Sequence, residues 1–137
     1  MNMSKRNDII QALLDSLVTA GVVESSNITR RLVFLHEVND FPAICTYTPR
    51  ETRTHYGGGR RIAQITLNIR GYSYSGDDAI GECERLGRSI EDVVDAYARS
   101  HPDLELYEAR VLSLRTDEGL YEPHGIVDLT VQITYEV

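Results

Sequence analysis

Four histidines, two cysteines, a glycine triplet flanked by arginines and a row of carboxylates at helical spacing are the groups here that could do chemistry. His36, His55, His101 and His124 are scattered, with no His-x-x-x-His and no Glu-x-x-His pair, so the ligand spacing of a zinc site is missing. Each reads as a surface or turn residue, and no metal is expected. No Gly-x-Ser-x-Gly elbow is present, which leaves a serine hydrolase without its nucleophile. Cys45 and Cys83 form no Cys-x-x-Cys pair and fall on apolar periodic positions, where a free thiol behaves as a small hydrophobe. Structural thiols are expected, with a disulfide or a reactive thiol as the alternative.

Tyr56-Gly57-Gly58-Gly59-Arg60-Arg61 deserves a test as an anion cradle. Glycine loops that hold phosphate follow a strand and open a helix, whereas these glycines precede a strand pattern. A flexible hairpin tip, or an arginine-bearing arm that orders against an acidic partner, accounts for them as well. Glu84 and Arg88, and Glu91 and Asp95, stand at i,i+4 on the polar side of a helix, which reads as a solvated face rather than a general-acid pair. No catalytic residue and no cofactor is expected, and the chain reads as a protein that works by binding other proteins.

Charge is unevenly placed. The chain of 137 residues has a net charge of −7, which opposes a general phosphate-backbone binder. Residues 49–61 hold Arg50, Arg53, Arg60 and Arg61 against Glu51, a local +3 that leaves −10 for the rest.

The elements that must position these groups follow from periodicity. Ile9, Ile10, Leu13, Leu14 and Leu17 predict a helix over about residues 5–20, with Gly21 placed to end it at positive φ. Residues 32–37 and 43–48 read as strands around a turn at Asn39, Asp40 and Pro42, followed by a polar arm over 49–61. From Arg60 to Tyr74 the alternation is clean, Ile65, Leu67 and Ile69 on one face and Gln64, Thr66, Asn68 and Arg70 on the other. Ser75-Gly76-Asp77-Asp78 supplies a turn and cap for a helix ending near His101 and Pro102, whose apolar face carries Cys83, Leu86, Ile90, Val94 and Tyr97. Strands over 106–115 and 126–137 close the chain. Strands in adjacent runs predict one α+β domain over residues 1–137, with a mainly antiparallel sheet and two helices on one face. Together, Gln64, Thr66 and Asn68 with Thr130, Gln132 and Thr134 form a nearly uncharged polar face, either solvated or packed against a neighbouring subunit.

No stretch approaches the ~20 apolar residues needed to span a bilayer. The start Met1-Asn2-Met3-Ser4-Lys5-Arg6 lacks the apolar core of a signal peptide, so a cytoplasmic location without membrane association is expected.

In layout the chain resembles the tail terminator proteins of long-tailed bacteriophages, the lambda-type minor tail protein U group. The resemblance rests, in order, on Ile9-Ile10-Gln11-Ala12-Leu13-Leu14, Asp40-Phe41-Pro42-Ala43-Ile44, the polar arm, Ile65-Thr66-Leu67-Asn68-Ile69-Arg70-Gly71 and the closing Thr134-Tyr135-Glu136-Val137. It implies a homo-oligomeric, six-fold ring that caps the tail tube protein, stops polymerisation and presents a surface to a head-completion or connector protein. DNA would pass through its lumen without specific binding. It also implies a virion protein, assembled in the host cytoplasm, whose arm is mobile until assembly. Arg50, Arg53, His55, Tyr56, Arg60, Arg61, Gln64, Thr66 and Asn68 would then serve the subunit or tube interface. Three other readings stand beside it: a head–tail connector or tail-completion (neck) protein, a small ligand-binding α+β domain, and a soluble dimeric bacterial protein.

Overall fold

The computed structural model describes residues 5–137. Helix α1 spans Lys5–Thr19 and α2 spans Ala79–Ser100. The strands are β1 (Ile28–Thr29), β2 (Ala43–His55), β3 (Arg61–Tyr74), β4 (Leu106–Thr116) and β5 (His124–Glu136). They form one sheet in the order β1-β2-β3-β5-β4, in which only the two-residue β1 pairs parallel. This is an α+β fold with a mainly antiparallel sheet.

Both helices lie on the same face of that sheet. Ile9, Leu13 and Leu17 from α1 and Ile90, Val94 and Tyr97 from α2 share one buried cluster with Ile65, Leu67 and Ile69 of β3 and Leu129, Val131 and Ile133 of β5. The period of two makes this necessary, since β3 and β5 are paired with Ile65 opposite Ile133 and Leu67 opposite Val131. The Tyr97 hydroxyl donates to the Ile9 carbonyl at 2.5 Å and ties the helices together. Asp78 caps α2 by accepting from the Gly81 amide, and Gly21 takes φ 77 just past the end of α1.

Two segments differ from the sequence expectation. Residues 32–37 are not a strand. They belong to an irregular stretch with one 3-10 turn at Leu35–Glu37, and it covers the other sheet face near β2. There Val33, Leu35, Val38 and Phe41 pack on Ala43, Cys45 and Tyr72, while the Tyr72 hydroxyl donates to the Val33 carbonyl. Burial of these apolar side chains is achieved without a ladder, so apolar content alone misled. Residues 49–55 are strand rather than a separate arm, because β2 continues to His55 and pairs with β3 down to Arg61. A register shift between Tyr47 and Arg50, with Thr48 at φ 47, lets the strand pass Pro49.

Candidate functional site

The arginine-bearing segment is a β-hairpin whose free tip is short. His55 faces Arg61 across the ladder, and the Tyr56 amide donates to the Arg60 carbonyl at 2.8 Å. Only Gly57–Gly59 lie beyond, with Gly58 and Gly59 at φ 76 and 79, a left-handed backbone that glycine supplies without strain. Arg50, Arg53, His55, Tyr56 and Arg60 are exposed and Arg61 half-buried.

The register splits the predicted residues between two faces. Arg53, His55 and Arg61 sit on the helix side, since Arg53 opposes the core residue Ala63. Arg50 lies on the other side, where it opposes Thr66. That side carries Gln64, Thr66 and Asn68, each directly opposite its partner on β5: Thr134, Gln132 and Thr130. The two polar rows do form one surface. Asn68 donates to Thr48 at 2.6 Å and accepts from Thr130 at 3.2 Å. At the end of these rows Arg70 grips both oxygens of Asp128, at 2.8 and 3.1 Å, and the Tyr47 hydroxyl also donates to Asp128 at 3.1 Å. This pair neutralises itself, and the middle of the two rows, Gln64 to Asn68 with Thr130 to Thr134, has no charge of its own; Glu136 ends the β5 row, and Arg110 of β4 donates to Gln132 at 3.2 Å.

The residues that fasten the hairpin to the body were not legible in the sequence. Glu51, whose side chain is only 7% exposed, accepts from the Tyr135 hydroxyl and from Arg53 Nε, both at 2.6 Å. Arg60 donates to Glu136 at 3.3 Å and to the Tyr107 hydroxyl at 3.0 Å, and its guanidinium lies 5.8 Å from the Tyr56 ring centre. Arg50 and Arg61 make no side-chain hydrogen bond or ion pair among the described residues. A carboxylate in an arginine-rich segment was the available signal for Glu51, but its partner Tyr135 is 84 positions away and only the register brings them together.

Burial pulls the Glu51 carboxyl upward. The bonds from Tyr135 and Arg53 outweigh that pull and leave its pKa below the ordinary 4.5. Burial, and then the bond to Glu51, push the Tyr135 hydroxyl up to about 12. A carboxyl depressed in the folded state adds stability that is complete above its unfolded pKa and is lost as pH falls through the folded one. Glu51→Ala is therefore expected to cost about 1–3 kcal/mol near neutral pH, by stranding the Tyr135 hydroxyl. Urea unfolding should also show that the variant loses less stability than the parent between pH 5 and pH 3, the carboxylate window for this residue. Parallel curves would remove Glu51 as the anchor.

The remaining chemistry-bearing groups are dispersed. His36 stacks on Phe34, His101 packs edge-on against Tyr97, and His124 lies between Phe41 and Tyr74. Among the described residues no three of His, Cys, Asp and Glu come together to hold a metal ion. No helix among them is long and apolar enough to cross a membrane. Cys45 and Cys83 are free and buried; burial raises both thiols, Cys83 to about 11. On α2, Arg88 reaches Asp92 at 3.6 Å and Arg85 reaches Glu82 at 3.1 Å, surface ion pairs worth little each.

Comparison with known proteins bears on this arrangement. A family described as Bacteriophage Tail Tube Terminator Protein matches residues 3–137. The tail tube terminator protein p142 of Escherichia phage T5 is 26% identical over 155 aligned positions, which cover 98% of this chain and 95% of that one. Among solved structures, a chain from the virion of a native gene transfer agent particle superposes with a TM-score of 0.63. That alignment covers 94% of this chain and 92% of the other at 11% identity, a likeness of fold.

Proposed function

The chain belongs to the bacteriophage tail tube terminator family, and on that premise we propose that it closes the finished tube as a six-fold ring of identical subunits. It is a tail terminator, a structural component of the virion tail. The observation that carries the reading is the match of the family over residues 3–137, essentially the whole chain. The proposed ring seats on the tube protein, stops its polymerisation and presents its other rim to a head-completion or connector protein. Each subunit acts as a single α+β domain without catalytic work or cofactor, and assembly takes place in the host cytoplasm.

Three features support this division of labour. The hairpin tip, with Tyr56 and the surrounding arginines, is exposed and positive in an acidic chain, which suits contact with a neighbour or with the tube. Its three glycines let it reorder on assembly. The neutral polar face of β3 and β5 lacks the charge that opposes burial at an interface core. The net charge of −7 leaves the ring negative, so DNA crosses the lumen without adhering.

Isolated tail tubes supply the test. Added protein should be seen by negative-stain electron microscopy at one end of each tube, and capped tubes should stop lengthening when free tube subunits are supplied. Capped ends that continue to grow would overturn termination by this chain, and binding to the head side alone would identify a connector.

A further inference from the structure

The sheet has two chemically unlike ends. Strand β3 runs 14 residues from the tip to Tyr74, which at ~3.3 Å per residue separates the ends by about 45 Å. At the far end Tyr74 pairs with His124 and the Ser75 amide donates to the Pro123 carbonyl at 3.0 Å. The start of α2 therefore lies beside the connection between β4 and β5. A cleft of about 380 Å³ opens between them, lined by residues 75–80 with Glu122 and Pro123. Ile80, Leu120 and Tyr121 are exposed at this end, Leu120 at 75% the most of any large apolar residue described. Around them Asp77, Glu118 and Glu122 have no ion-pair partner among the described residues.

We propose that the arginine-flanked tip of one subunit docks in the acidic, apolar cleft at the far end of the next subunit. The proposal rests on the ring reading and says which surfaces build the ring. The occupant is a second copy because the two ends match each other in chemistry. Tyr56 is 52% exposed, and Arg61, at the first rung below the tip, lacks a side-chain partner among the described residues, so the tip offers an aromatic anchor beside a free cation. Tyrosine and arginine dominate the few contacts that carry most binding energy. The cleft supplies Ile80 and the unpaired Asp77 and Glu122, and beside it stand the exposed Leu120 and Tyr121 and the unpaired Glu118. Within one subunit the two cannot meet. A contact between unlike surfaces is heterologous, and it closes into a ring when the rotation it imposes divides a full turn. Opposite potentials also bring the ends together quickly, an attraction that salt screens within about 3 Å at about 1 M.

Two variants test the contact. One replaces Tyr56 and Arg61 by serine; the other carries Asp77→Asn, Glu118→Gln, Leu120→Ser and Glu122→Gln. Both should melt cooperatively as the parent does, since none of the changed side chains is buried or holds an ion pair among the described residues. Light scattering after size exclusion is run at low ionic strength, without and with isolated tail tubes as template. The parent is expected to form species larger than a dimer in at least one condition, and high salt to weaken them at least several-fold. Each variant alone should stay monomeric in both. Mixed in equal amounts off the template, they should form a heterodimer and nothing larger, because one intact tip meets one intact cleft and no further contact remains. A cleft variant that assembles like the parent overturns the docking and leaves the ring standing. A parent that stays monomeric with and without tubes overturns the ring itself.

Discussion

Replacing Gly125 by alanine is expected to be the most destabilising single change of one methyl group in this subunit. An added Cβ would sit 2.7 Å from Cys83 Cβ, 2.7 Å from Ser73 Oγ and 3.0 Å from Cys83 Sγ. The Ser73 hydroxyl can turn about its own bond, but Cys83 Cβ is fixed to the backbone of α2 and cannot swing away. The helix must lift from the sheet or the ladder must part. Overpacking of this kind costs about 1–3 kcal/mol, and sometimes more, against a total stability of about 5–15 kcal/mol. Gly57→Ala provides the comparison, since a Cβ there meets nothing within 4 Å and φ is not in the left-handed region. Urea unfolding should show a lower midpoint for Gly125→Ala and an unchanged one for Gly57→Ala. Equal midpoints would mean that α2 rides on the sheet loosely enough to absorb a methyl group.

A second large effect belongs to assembly. With Arg53, Tyr56, Arg60 and Arg61 all changed to serine, the subunit should fold normally and fail to terminate tails. Arg53, Tyr56 and Arg60 lie at the surface, Arg61 is half-buried without a side-chain partner among the described residues, and the ion pairs of Arg53 and Arg60, 40% and 53% exposed, hold little stability. In a phage whose own terminator is replaced by this protein, the parent should give tails of one length. The quadruple variant should give tails of scattered length and an infectious yield lower by at least 100-fold. Deleting residues 51–59 outright would confuse the outcome, because it also removes Glu51 and the ladder it anchors. Normal yield from the quadruple variant would relieve the tip of any part in termination.

Periodicity made most of the fold legible. β3 and β5 alternate so regularly that their inward and outward faces follow from the chain alone, and α2 shows its apolar stripe and the turn that caps it. The misreadings have physical causes. The distal half of β2 has no strand on its outer side, so Thr52, Arg53 and Thr54 are polar where a buried strand would be apolar. The segment around Val33 and Leu35 is apolar because it lies over Tyr72, and coverage of that kind leaves no period to read. A glycine inside a helix lowers its intrinsic stability, yet at Gly87 a Cβ would stand 2.9 Å from Val127 and 3.2 Å from Leu114. It lets the helix settle close against the side chains of β4 and β5. The predicted interface residues were placed on the hairpin and β3 by sequence, but not their division between two faces, nor the anchors Glu51, Tyr135 and Glu136. Those depend on register between strands far apart in the chain.

The state of the two thiols has a practical consequence. Cys45 and Cys83 are each 1% exposed, with the thiolate disfavoured, so alkylating reagents at neutral pH find almost no nucleophile on the folded subunit. A cysteine introduced at position 57 would be the one reactive thiol, with no need to remove the native pair. A fluorophore attached there would report on the hairpin as subunits join. Its emission could be followed in real time through donor–acceptor transfer, in a protein that has no tryptophan to interfere.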